Sequence, residues 1–271
     1  MTRHPSGVVK KRVQAHAAAY AAHKGLQAHT TASGVVIFKP GDNFHPAAFE
    51  QITRKSDWQK RAAKGHSHRR SFPTAFAQAA EMDSCNSSDA LLMNLFCHPQ
   101  FPVDKAKFKA DTGILWFPPR FGVSAKLPVV SGGENTQLDM VLGTSHGAPI
   151  FEAKLTEADF TEKSARIVER YNDLETVFDV ADLHRTGVGR HFCDYQLIRN
   201  VLAAHHRGAP FFLLIDRQRD DLADRFDALL GRVRDDRLRQ NLRRVTWQQL
   251  ARHAPSDLRS FLSMKYGIGV T

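Results

Sequence analysis

Cysteine is nearly absent: Cys85, Cys97 and Cys193 are the whole complement of 271 residues. Three scattered thiols without a Cys-x-x-Cys pair exclude a disulfide-stapled fold and point to a reducing, cytoplasmic setting. Long apolar runs are missing as well. With no 18 consecutive apolar residues, no membrane-spanning helix and no membrane partner are expected. Acid is missing from the start of the chain, where the first carboxylate is Asp42. An acid-poor start fits a transit peptide or a basic arm of the mature protein. The basic character runs on to Arg70 without a break, which favours the arm, and no apolar segment reads as a secretory signal. The fourteen histidines lack zinc-site order, since His66/His68, Cys97–His98 and His205–His206 have none of the usual ligand spacings. Ser87–Ser88 has no nucleophile-elbow glycines, and Gly187-Val188-Gly189 lacks the third glycine of a nucleotide loop. There is no internal repeat and no low-complexity tract.

What is there is charge, unevenly placed. The formal net charge is +10. Residues 1–72 hold 13 Lys/Arg against 3 Asp/Glu, while the remainder balances 25 against 25, so the first quarter carries the whole excess. A polyanionic partner, nucleic acid first, is the expected reason. Arg54, Lys55, Lys60, Arg61, Lys64, Arg69 and Arg70 are the candidate phosphate contacts, with affinity falling steeply in salt. Trp58 and Phe72 could stack on bases, although core packing is the stronger expectation for them.

The pattern of elements predicts a helix over 8–24, a short strand over 34–38 and a helix from Pro46 to about Lys64, followed by a basic loop over 66–73. We divide the chain into a basic N-terminal region, 1–72, packed on a domain spanning 73–271. In that domain a helix is expected from about residue 86, carrying Leu91, Leu92, Leu95 and Phe96. Strands are expected over 113–117, 138–142 and 150–154, with 120–136 irregular. A long helix should carry Ile167, Tyr171, Leu174, Phe178 and Ala181, and another should run from about 192 to 206. Phe211 to Ile215 is apolar throughout, as in a strand buried on both faces. The C-terminal part, 217–271, reads as helical with one short strand near Val245. Helix, three strands, helix, strand over about 86–216 predicts an α/β domain of three layers, a mixed sheet with helices on both faces.

Asp139, Glu152 and Lys154 carry the chemistry. Asp139 lies in the first strand of an apolar hairpin and Glu152 and Lys154 in the second. Two residues apart on a strand, Glu152 and Lys154 share one face. Charges on buried strands are costly unless they pair or bind a metal. Two carboxylates across a hairpin offer hard oxygen ligands suited to Mg²⁺ or Mn²⁺, and a neighbouring ammonium can orient a water or stabilise a phosphate.

Asp139, a twelve-residue gap and then Glu152-Ala153-Lys154 resembles the signature of the PD-(D/E)XK nucleases, the restriction-endonuclease-like superfamily. The element order is similar to that family's core, and the segments 86–96 and 195–200 look like those of uncharacterised bacterial endonuclease-like members. Leu138 stands where the family pattern has proline. The resemblance implies a divalent-metal-dependent endonuclease of restriction, defence or repair type that leaves a 5′-phosphate and a 3′-hydroxyl on DNA; RNA is the less expected substrate. It implies Asp139 and Glu152 as ligands, the Ala153 carbonyl beside them, Lys154 positioning the water, Gln196 supporting the site and Arg199 near it. A further acid is expected at Glu134, Asp89 or Glu81. A homodimer and a separately encoded partner protein are in keeping with such enzymes. The alternative is a nucleic-acid-binding module with the same fold and no turnover. A third class, a metal-independent enzyme or structural protein, would have Asp139, Glu152 and Lys154 pointing apart.

Overall fold

The computed structural model describes residues 4–130 and 132–269. Helix α1 (Pro5–Lys24) starts on a proline, where a missing N–H costs nothing. Val9, Val13, Ala17 and Tyr20 recur at helical spacing along its buried face, and Gly25, at φ 63°, closes it. Strands β1 (Ala28–Thr30) and β2 (Val36–Phe38) form a small antiparallel pair. The single helix expected from Pro46 is two, α2 (Pro46–Thr53) and α3 (Ser56–Ala62), because Lys55 is extended between them. The break turns Trp58 inward, edge-on to Phe121 with ring centroids 5.7 Å apart. Helix α4 (Ser88–Phe96) is capped by Ser87, and α5 (Lys105–Thr112) by Asp104, whose carboxylate accepts the Ala106 and Lys107 N–H groups.

The first strand of the main sheet lies later than expected. Residues 113–117 are irregular, β3 (Pro119–Pro128) and the start of β4 (Gly133–Leu142) occupy the stretch expected to be irregular, and the rest of β4 holds the strand expected over 138–142. The apolar run misleads because it fills a core as a loop: Ile114 is buried and Trp116 stacks on Phe96. β3 is an edge strand, so it buries only part of its surface and reads as polar. Strand β5 (Ile150–Ala153) pairs antiparallel with β4.

The long helix expected beyond β5 is also corrected. The chain forms β6 (Lys163–Ser164), the single turns α6 (Ala165–Val168) and α7 (Leu174–Val177), then β7 (Arg185–Thr186) and β8 (His191–Phe192). β6, β7 and β8 make a separate small sheet. Tyr171, Leu174 and Phe178 are buried, but as anchors of an irregular strap. Tyr171 bridges to Val129, Phe178 bridges to Val233, and Asn172-Asp173 break the helix between them.

Helix α8 (Tyr195–Arg207), β9 (Phe211–Ile215), α9 (Asp220–Leu230), α10 (Asp236–Gln240), β10 (Leu242–Thr246), α11 (Trp247–Ala251) and α12 (Ser256–Tyr266) complete the chain. The sheet order is β10-β9-β5-β4-β3, parallel from β10 to β5 and antiparallel from β5 to β3. β9 shows the three layers residue by residue. Phe211, Leu213 and Ile215 face a core shared with α8 and α9; Phe212 and Leu214 face one shared with α1, α4 and α12. The architecture is the restriction-endonuclease-like one, with helices on both faces of a mixed sheet. The basic N-terminal residues belong to it: α1 packs along α12, and the Arg12 guanidinium grips the fully buried Asp216 just past β9.

Beneath α12, burial pushes the Asp83 carboxyl up to about 6, against the pull of the Ala80 N–H that it accepts. A raised carboxyl favours the fold while protonated, and that contribution is lost as pH rises through about 6. Asp83→Asn is therefore expected to flatten the dependence of melting temperature on pH between 5 and 7. It should also stabilise the protein at pH 7 by up to about 3 kcal/mol. Melting curves at both pH values check this.

Candidate active site

The backbone turns where the site begins. Leu138 and Met140, two residues apart, pack into opposite cores, although the β3–β4 register is unbroken across Phe121↔Met140 and Val123↔Leu138. Gly122, at φ 59°, lies between these pairs, opposite Asp139. Here the positive φ calls for glycine, and a Cβ would lie 3.2 Å from the Arg61 guanidinium.

Strand β5 delivers the next two residues. Glu152 follows the alternation of Ile150 towards α8, and Lys154, just past the strand, continues the pairing through its N–H to the Leu214 carbonyl. The Trp247 indole N–H binds the Lys154 carbonyl at 2.9 Å, which fixes the backbone here. Lys154 Nζ lies 2.9 Å from Glu152 Oε1 and donates to Gln196 Oε1 at 2.8 Å. Asn200, one helical turn beyond Gln196 on α8, donates to Glu152 Oε2 at 2.8 Å. Asp139 Oδ2 accepts the Ala153 N–H at 2.9 Å, and Asp139 is the partly exposed member, with 20% of its side chain open.

Of the three further acids, the structure brings Asp89 to this group. It stands in the first turn of α4 and pairs with Arg61 at 2.5 Å; the same guanidinium is 3.9 Å from Asp139 Oδ1 and donates to Gln137. Glu134 instead accepts a hydrogen bond from the Tyr195 hydroxyl, and Glu81 pairs with Lys64. Glu157, not singled out in the sequence, accepts the Leu155 and Thr156 N–H groups and the Ser88 hydroxyl, tying the start of α4 to the end of β5.

Crowding of acids sets the electrostatics. Burial, then the Glu152 and Asp89 charges, push the Asp139 carboxyl well above the usual carboxylate range. Asp89 is raised by burial, with Arg61 opposing and Glu152 and Glu157 adding. Burial works to lower the Lys154 pKa, but Glu152, Glu157 and Asp139 outweigh it and the ammonium form is favoured. Asp139 and Asp89, raised in this way beside Glu152, form a donor set of hard oxygens that a divalent cation relieves.

The basic residues distribute differently. Arg61 enters the acid group. Arg54 pairs with Glu50 and Lys55 lies over the Trp58 ring, while Lys60, Arg69 and Arg70 are exposed. Arg199 lies over the Tyr195 ring. A separate His45–His98–Asp257 cluster comes from three segments, so no local spacing announces it. Both Nδ1 atoms accept backbone N–H groups, from Ala47 and Gln100, which leaves the Nε2–H groups towards Asp257, 3.7 and 3.5 Å away. Burial lowers both imidazole pKa values. Those tautomers suit a neutral pair holding a carboxylate rather than metal ligation.

No helix among the described residues is long and apolar enough to cross a membrane. No curated protein and no solved structure matches the chain. A family model described as Restriction Endonuclease associating with ARP matches residues 14–267. With that match over nearly its full length, the chain belongs to the REase-ARP family, within the restriction-endonuclease-like superfamily.

Proposed function

We propose that the chain hydrolyses DNA phosphodiester bonds with a divalent metal, Mg²⁺ with Mn²⁺ able to substitute, as a cytoplasmic endonuclease of restriction, defence or repair type. One observation carries this: Lys154 Nζ is fixed between Glu152 and Gln196, and Asp139 and Asp89, which share Arg61, both feel the Glu152 charge, so an ammonium and three carboxylates gather at one site. Asp139 and Glu152 would hold the metal, joined by Asp89 and the Ala153 carbonyl. A bound divalent ion supplies Lewis acidity at the phosphoryl oxygen and an acidified water. The chain's own residues do the rest. Gln196 holds the Lys154 ammonium, which orients the attacking water and faces the charge that grows on the phosphate. Asn200 holds Glu152 in one rotamer. The basic N-terminal side chains position the phosphate backbone. The family description names an association with ARP, and we extend this to a separately encoded partner, with a homodimer for cutting both strands.

Supercoiled plasmid is the test. Relaxed or linear product in Mg²⁺ or Mn²⁺, and none in EDTA, is expected. Plasmid that is retarded in gels but uncut in either metal, with ARP present, would overturn hydrolysis in favour of a binding module.

A further inference from the structure

Beside α3 lies a cavity of about 950 Å³. Lys55, Lys105, Arg252 and Arg259 surround it, and Trp58 and Trp116 form part of its wall. Lys105, Arg252 and Arg259 are exposed and make no ion pair among the described residues. The carboxylate of Asp104, also on the wall, is engaged in capping α5. Three uncompensated cations around one concavity raise the local potential for an anion.

The cavity neighbours the active site along the edge strand. Pro119 lines it, while Arg120 to Ser124 line a second cleft with Arg61 and Gln137, and Trp58 borders both. From Pro119 to Gly122, opposite Asp139, is three residues of strand, or about 10 Å. That span matches about three stacked nucleotides. A concavity of this size takes a ligand of small-molecule scale, not a duplex.

We propose that the cavity holds unpaired nucleotides of the strand being cut, about three nucleotides from the scissile phosphate. The proposal rests on the nuclease reading above. The cations bind the backbone phosphates and the tryptophan-bearing wall receives the bases. The enzyme would then prefer DNA with a single-stranded tail or gap next to the cut.

Binding of the intact protein in EDTA tests this with three labelled probes: oligo(dT), a blunt duplex and the same duplex with a single-stranded tail. The variant Lys105→Glu/Arg252→Glu/Arg259→Glu changes exposed residues only, and its melting curve checks the fold. Its affinity for oligo(dT) and the tailed duplex is expected to fall at least tenfold, while blunt duplex changes less than twofold. Its salt slope on oligo(dT) should drop by about 2. Oligo(dT) should also quench the wild-type tryptophan fluorescence, because Trp58 and Trp116 line the cavity and Trp247, the third tryptophan, is fully buried. Trp116→Phe should lose part of that quench. Equal losses on blunt and tailed duplex, or no loss on either, would overturn the proposal and leave the nuclease reading standing. So would loss of the ARP partner alone, which would reassign the cavity to protein. A wild-type protein that binds none of the probes would overturn both.

Discussion

Lys154→Ala should reduce plasmid cleavage by about 10² to 10⁴-fold, the range for removing a group that assists proton transfer at the reacting centre. The loss should be in the single-turnover rate, with plasmid binding in EDTA unchanged, because Lys154 is buried at the acid group and the binding cations are elsewhere. The variant should also be less stable by about 3 kcal/mol, since Glu152, nearly fully buried, keeps only Asn200 once the ammonium is gone. Lys154→Gln separates the two effects: it can bond Glu152 and recover stability, yet it brings no charge and should stay inactive. A Gln variant that is both stable and active would remove Lys154 from the chemistry.

Asp139→Asn is expected to abolish metal-dependent cleavage and, without metal, to make the protein more stable. Burial and the Glu152 and Asp89 charges hold the Asp139 carboxyl well above its ordinary range. A group raised in this way favours the fold when protonated and costs stability as pH rises through its folded pKa. Asparagine keeps an acceptor for the Ala153 N–H and carries no charge. In EDTA at pH 8 a gain of about 1 kcal/mol is expected, which for a chain of this size is about 2–4 °C in melting temperature. Magnesium should reverse the ranking, because only the wild type gains binding free energy, about 2.7 kcal/mol at a hundredfold excess over the dissociation constant. Melting curves at pH 5 and 8, with and without Mg²⁺, read out all four states. A variant that melts lower than wild type in EDTA would remove the idea that these acids strain the unliganded fold.

Much of the fold was legible where periodicity and burial agree. The all-apolar β9 could be placed because a parallel strand covered on both sides has no polar face to show. α1 declared itself by four apolar residues at helical spacing. The failures share a cause. The apolar residues of 113–117 and of 165–182, such as Ile114, Tyr171, Leu174 and Phe178, fill cores, and sequence does not distinguish a buried loop from a strand or a helix. β3 went unread because an edge strand carries the polar residues of a surface. At the site, alternation along β5 paired Glu152 with Lys154, and the helix after it offered Gln196. Asn200 was within reach of the same logic, four residues further along one helix face. Which of Glu81, Asp89 and Glu134 joins Asp139 depended on where α4 docks, and that is tertiary. The role of Arg61 was hidden for the same reason, since on sequence it is one of seven similar cations.

The packing of α1 along α12 has a consequence for synthesis on the ribosome. The core that supports α4 and one face of β9 takes residues from both α1 and α12, more than 200 positions apart. A nascent chain therefore cannot close that core until α12 has emerged. Until then α1 lacks its partner helix, and the docking of α4, which carries Asp89, is unsupported on that side. A fragment released early has the charges of the site without their arrangement.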